Sequence, residues 1–244
     1  MSTEESTEET IVTTETEAAE EVVAQPRALF FELENVAFPG HEVEFKTLSA
    51  ALKQKKITLS IPLYSRYCVS VPPGAYMAGL MAACSKDGAA VDKLASDVSS
   101  KLATALAGAT PNAAVAESLK AALANGVKLG AVSGLEPAAA KKLIEKLGLS
   151  ETDVVLHAGD GNSDTSSNGP EVWSHRARSL KVSPRACVLI GSHARVCRAA
   201  IAAQMQCVAL TNSYTEYEDF GGADHVTDEL DASVVADMLS PDDS

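Results

Sequence analysis

Two carboxylates stand two residues apart in Phe31-Glu32-Leu33-Glu34-Asn35-Val36, directly after the apolar run Ala28-Leu29-Phe30-Phe31. Side chains of that type serve as nucleophile, proton carrier or metal ligand. An apolar run over 127–132 ends in Ser133-Gly134, and another over 187–190 ends in Gly191-Ser192-His193. Ser133 has a second reading, because Ser-x-x-Glu over 133–136 has the spacing of a helix capping box. Gly159-Asp160-Gly161-Asn162-Ser163-Asp164 carries the acids and glycines of a metal loop. It lacks the distal Glu of a Ca²⁺-binding EF-hand, and Asp/Gly/Asn clusters are ordinary turn chemistry. Asp160 is kept as a pocket candidate. His157, His193 and Arg195 are placed to line one end of a sheet, where open α/β folds bind ligands.

The elements that position these groups alternate. Strands are expected at 127–132, 154–156, 187–190 and 207–210, with a short one near His225-Val226. Helices are expected at 113–125, at 136–147 with Pro137 in the first turn, and at 170–180, 194–204 and 231–239. Gly126 sits where a helix ends, and Trp173 is expected to pack on the core. Near-continuous apolar strands joined by helices imply a parallel sheet covered on both faces. Between the first strand and this alternation the pattern is helical, at 43–56, 74–84 and 90–107, with Val43, Leu48, Ala51 and Leu52 on one side of the first of these. Pro72-Pro73-Gly74 and Ala109-Thr110-Pro111-Asn112 punctuate it. The expected fold is α/β, a doubly wound parallel sheet with an inserted helical cap subdomain. The core is assigned to 27–42 and 109–244, the cap to 43–108, and a disordered acidic tail to 1–26.

This layout resembles the haloacid dehalogenase-like (HAD-like) superfamily, in the branch of β-phosphoglucomutase and related small phosphatases with a helical cap. The resemblance covers 27 to about 235 and implies a HAD-like Rossmannoid core. It assigns Glu32 to the position of the family's Asp nucleophile and Glu34 to that of its general acid/base. A carboxylate longer by one methylene is displaced, and a misplacement of ~1 Å can cost on the order of a hundredfold. Asn35 replaces the loop Gly, as a residue that tolerates left-handed backbone angles, and Val36 replaces a Thr. Ser133 matches the family's phosphate-binding hydroxyl, and Asn35 is a further phosphate-binding candidate. The family's Lys, in a Lys-Pro-x-Pro segment, falls on Ser167, with Pro170 retained. No Lys or Arg lies between 147 and 175, so the transition state loses its cation. The acids that hold Mg²⁺ in the family fall on Gly191 and Ser192, and a hydroxyl beside His193 is a poor set for that ion.

Three functions compete. The leading expectation is a catalytically inactive or strongly impaired HAD-like protein that binds a partner protein or a small phosphorylated ligand, without metal or cofactor. The alternative is a HAD-like hydrolase, of phosphatase or phosphomutase type, with Glu32 as nucleophile and Mg²⁺ as cofactor. A dehalogenase is disfavoured, since it too needs an Asp nucleophile and a positioned Lys.

Composition narrows the partners. The 244 residues carry a formal charge of −13, and eight Glu without any Lys or Arg fall in 1–26, leaving −5 on the rest. Such a tail buries too little apolar surface to order itself, so solubility is its default role and docking the other. Nucleic acid is disfavoured by the absence of a dense basic run. Lys53, Lys55 and Lys56 read as a solvated helix end. The five cysteines show neither CxxC nor metal-ligand spacing, which suits a reducing cytoplasm. No segment is apolar for the length of a bilayer crossing, and no secretory signal opens the chain.

Overall fold

Ala28–Glu32 forms β1, a fully buried strand at the middle of the molecule. In the computed structural model, which describes residues 27–69, 71, 73–84, 91–158 and 169–240, β1 is flanked by β2 (Lys128–Ser133) and β4 (Cys187–Gly191). β3 (Val154–Ala158) extends the sheet beyond β2, and β5 (Gln206–Leu210) and β6 (His225–Thr227) extend it beyond β4. All five pairings are parallel, in the order β3-β2-β1-β4-β5-β6. The acidic tail, Asp160, Asp164 and Ser167 lie outside the described residues.

Successive β1 side chains point to opposite faces, and each face has its own cluster. Leu29 and Phe31 pack with Val115 and Leu119 of α5 (Ala113–Ala124), Leu143 and Ile144 of α6 (Pro137–Lys146), and Val235 of α9 (Ala232–Met238). Ala28 and Phe30 pack with Trp173 and Ala177 of α7 (Pro170–Ser179) and with Val196 and Ala200 of α8 (Ala194–Ala202). Each fully buried Leu or Phe contributes roughly 1.5–3 kcal/mol. Gly130 makes room for this: a Cβ there would lie 2.4 Å from the Phe30 ring. Phe30 meets Trp173 edge-on at 5.9 Å.

Four helices are inserted between β1 and α5: α1 (Gly40–Lys53), α2 (Ile61–Tyr67), α3 (Pro73–Ala83) and α4 (Val91–Gly108). They share a third cluster, including Leu48, Leu52, Tyr64, Met77, Leu80 and Val98. The expected boundary at 43 falls inside α1. Sequence periodicity passed over α2, although Ser60 caps it by accepting a hydrogen bond from the Leu63 amide, with Pro62 in the first turn. Val43 is not on the buried face of α1; His41, Leu48, Ala51 and Leu52 are buried there. Lys146 of α6 donates to the carbonyls of Ala107 and Ala109, at 2.7 Å each, and so closes the C-terminal end of α4. No helix among the described residues is long and apolar enough to cross a membrane. All five cysteines are free.

Candidate functional site

The chain runs from β1 to β2 and β3 on one side, then returns to place β4 on the other side of β1. This reversal opens a crevice beyond the C-terminal strand ends. The register sets Glu32 opposite Val132 and Phe31 opposite Ile190. Glu32, Ser133 and the 191–193 segment are therefore neighbours. After Glu32 the chain makes a π-helical turn, Leu33–Ala37, and enters α1. Gly40 is required there, because a Cβ would lie 2.3 Å from Asn35 Oδ1 and 2.4 Å from the Glu34 carbonyl.

Glu32 is 5% exposed and His193 3%. Ser192 donates to Glu32 Oε2 twice, from its backbone amide and from its hydroxyl at 3.0 Å. His193 Nδ1 donates to Oε1 at 2.7 Å. Burial pushes the Glu32 carboxyl up, but the His193 charge and these hydrogen bonds outweigh it, and the balance lies below the ordinary carboxylate range. For His193, burial works downward, and the Glu32 carboxylate, with Glu218 and Glu44 behind it, carries the balance above the ordinary imidazole value. The pair is a buried carboxylate–imidazolium. Gly191 leaves room for Cys197 of α8: a Cβ there would lie 3.0 Å from its Sγ.

The Mg²⁺ that the family resemblance implies does not fit these residues. The Ser192 amide and hydroxyl both donate to Glu32, the hydroxyl oxygen also lies 3.2 Å from His193 Nδ1, and that neighbouring side chain is a cation, so the segment offers Mg²⁺ no anionic oxygen of its own. Among the described residues no group of three His, Cys, Asp or Glu is placed to hold a metal ion.

Glu34 lies on the other side of the crevice. Its Oε1 accepts from Ser133 Oγ at 2.8 Å, from the Gly134 amide at 2.8 Å and from the Leu135 amide at 3.1 Å. Burial outweighs these bonds and raises its pKa. The capping-box expectation for Ser133 is corrected here. The residue preceding α6 is Glu136, which makes no side-chain cap bond, and the Ser133 hydroxyl is turned toward Glu34 and the Leu135 amide. Pro137 starts the helix one turn too late for a cap at 133. Asn35 sits within the right-handed π turn, with Oδ1 directed at Gly40.

Sequence reasoning missed a cluster that links the crevice to the cap. The buried His41 ring lies edge-on to His193 at 4.8 Å, and its Nδ1 is 3.4 Å from the Tyr64 hydroxyl. Burial, then the His193 charge, push the His41 imidazole well below its ordinary value. Tyr64 and Tyr76 donate to the two oxygens of Glu44, at 2.7 and 2.9 Å. Burial raises Glu44 to about 7, against those two bonds and the more distant His193 charge. From the loop after β5, Tyr214 packs on Phe45 and Tyr64, both at 5.4 Å, and its carbonyl accepts from Ser65 Oγ. The signal was present: His41 and Glu44 are three apart and lead onto the buried positions of α1.

Arg176, the first basic residue after the 147–175 gap, was missed as well. It is buried on α7, its guanidinium 4.5 Å over the Trp173 ring. Burial lowers it to about 10, against the charge of Glu32. His157, at the end of β3, is lowered to about 4 by burial and then by the charges of Arg176 and His175. Arg195 is exposed on α8.

No family model matches the chain, and no curated protein matches it in sequence. Solved structures do match in fold. CbbY from Rhodobacter sphaeroides, as a point mutant in complex with xylulose-(1,5)bisphosphate, superimposes with a TM-score of 0.68 at 16% identity, over 84% of this chain and 94% of that one. β-Phosphoglucomutase from Clostridium difficile matches with a TM-score of 0.68 at 17% identity, over 88% and 97%. A HAD family hydrolase from Deinococcus radiodurans R1, with bound phosphate and sodium, matches with a TM-score of 0.66 at 19% identity, over 89% and 99%. The six-stranded parallel sheet, the helical insertion after β1 and these superpositions together establish that the chain has the HAD-like hydrolase fold, with its structural neighbours among the β-phosphoglucomutase and CbbY proteins.

Proposed function

We propose that this chain is a HAD-like scaffold that binds a ligand at its strand ends without turning over a phosphate ester. The observation that carries the reading is the state of Glu32. An attacking carboxylate must present a free lone pair in line with phosphorus. Here both lone pairs of Oε2 are taken by Ser192, and Oε1, the oxygen with a lone pair left, is held by the imidazolium. Attack would strip a buried anion of its counter-ion, and breaking such a pair costs about 3–5 kcal/mol before any chemistry begins. His193 neutralises Glu32 from the segment where the family resemblance puts the metal ligands, so the charge balance closes without an added ion. The structural neighbours include proteins solved with phosphate or a sugar bisphosphate. A small phosphorylated ligand in the crevice is accordingly the favoured class.

The test is phosphate release from p-nitrophenyl phosphate and acetyl phosphate across a Mg²⁺ titration. The Glu32→Asp/Ser192→Asp double substitution, which restores a short nucleophile and an acid, runs beside the wild type. We expect no Mg²⁺-dependent release from the wild type. Release that needs Mg²⁺ and disappears on Glu32→Gln would establish hydrolysis with Glu32 as nucleophile and end the binding-only reading.

A further inference from the structure

We infer that Glu34 is an internal competitor for an oxyanion site: its carboxylate fills a nest that a phosphate oxygen enters only when Glu34 withdraws. The inference rests on the binding reading of the crevice given above. The nest consists of one hydroxyl and two successive backbone amides, all converging on a single oxygen, Glu34 Oε1. Successive amides beside a hydroxyl form a concavity suited to an anion. In this chain a side-chain carboxyl oxygen already lies in it.

The length of the side chain makes this possible. The backbone at Glu34 is held by the π turn and by the close approach of Gly40 to the Glu34 carbonyl. Reach therefore comes from the side chain alone, and a carboxylate one methylene shorter would stop about 1.5 Å back.

Glu34 is also displaceable in a way that Glu32 is not. Glu32 is buried and faces an imidazolium. Glu34 is partly exposed, and among the described residues its three donors all fall on one oxygen and no cationic side chain offsets its burial. A tetrahedral oxyanion offers the same donors an equivalent acceptor, and it competes with Glu34 for them on equal chemical terms.

The experiment is an amide NMR titration of the full chain with inorganic phosphate, following Gly134 and Leu135. The wild type is compared with Glu34→Ala, Glu34→Asp and Glu34→Ala/Ser133→Ala. If Glu34 fills the nest nine-tenths of the time, its removal tightens phosphate binding about tenfold. Glu34→Asp gives an intermediate tightening, and it carries the test should the alanine variant fail to fold. Adding Ser133→Ala weakens the binding again by about tenfold or more. The inference is overturned if phosphate leaves Gly134 and Leu135 unmoved in a folded variant, or if it binds that variant no tighter than the wild type. The titration reads binding alone. Turnover in the hydrolysis assay would thus remove the binding-only reading and leave this result standing, and the reverse also holds.

Discussion

Glu32 at the end of the sheet and Glu44 in the cap are both carboxylates withdrawn from water and held by hydrogen bonds. Glu32 takes three bonds, from Ser192 twice and from His193, and titrates below the ordinary range. Glu44 takes two, from Tyr64 and Tyr76, and is raised to about 7. The number of donors does not explain the difference, because Glu34 has three and is also raised. What separates Glu32 is an adjacent cation. In Glu34 and Glu44 the neutral donors do not outweigh burial, whereas in Glu32 the adjacent cation together with its hydrogen bonds does. The crevice is thus built around a fixed charge pair, and the cap around a carboxyl poised to gain or lose its proton near neutrality.

The strongest way to break this comparison is to remove the cation. His193→Ala leaves Glu32 buried without its hydrogen-bonded counter-ion and is expected to cost about 3–5 kcal/mol in urea unfolding at pH 6. Glu32→Leu/His193→Leu, which removes both charges, is expected to cost less than His193→Ala alone. The sign with pH follows from the raised imidazole. Its contribution is fully present below the unfolded value of 6.5 and is lost as pH rises through the folded value, so the His193→Ala penalty shrinks at high pH. A penalty under about 1 kcal/mol at pH 6, or one that grows with pH, would show that the pair is not what holds Glu32.

Glu44 sharpens the comparison through the pH profile. Glu44 and Glu34 are raised, so from 4.5 upward the folded chain keeps protons that the unfolded chain has released, and stability falls as pH rises. His41 and His157 are lowered, so below 6.5 the unfolded chain takes up protons that the folded chain refuses, and stability falls as pH falls. Between 4.5 and 6.5 these two pairs oppose each other, and the wild-type profile should be shallow there. Below 4.5 the depressed Glu32 adds a loss as pH drops through its folded value. Glu44→Gln removes one opposing contribution and leaves the imidazoles to dominate. Relative to wild type, the variant should lose up to about 3 kcal/mol on going from pH 7 to pH 4.5. Denaturation at four pH values reads this directly, and parallel profiles would show that Glu44 does not titrate near neutrality.

The two regions also differ in how far they were legible in sequence. β1, β2, β4 and β5 are continuous apolar runs, because both faces of a parallel sheet are covered, and such runs announce themselves. Glu32, Ser133, Ser192 and His193 were found because each stands where an apolar run ends. Their pairing was not legible: Glu32 and His193 are 161 residues apart, and only the β1–β4 register joins them. The destination of Glu34 was hidden for the same reason, since its donors lie about a hundred residues further on. In the cap the difficulty is chemical. Tyr64 lies on α2, which periodicity passed over, and nothing in the spacing of Glu44 and Tyr76 shows that both tyrosines donate to this acid within the cap. An acid on the buried stripe of α1 was the one available clue, and assigning Val43 to that stripe concealed it.

The smallest expected effect belongs to Tyr76→Phe, which removes one of the two hydroxyls on Glu44 and little else. Tyr76 is 3% exposed, so the ring stays packed and the change is confined to one hydrogen bond. At pH 8 Glu44 is largely ionised, and losing a donor to a charged acceptor should cost about 1.5–3 kcal/mol. At pH 5 Glu44 is protonated, and the same hydroxyl faces a neutral carboxyl, whose bond is worth about 0.5–1.5 kcal/mol. The variant should therefore be penalised more at pH 8 than at pH 5, and the Glu44 midpoint should move further up. Tyr64→Phe shows the same sign, with an added loss from the contact of the hydroxyl with His41. A penalty equal at both pH values would mean that Tyr76 acts by packing alone, and that one hydroxyl, not two, sets the proton affinity of Glu44.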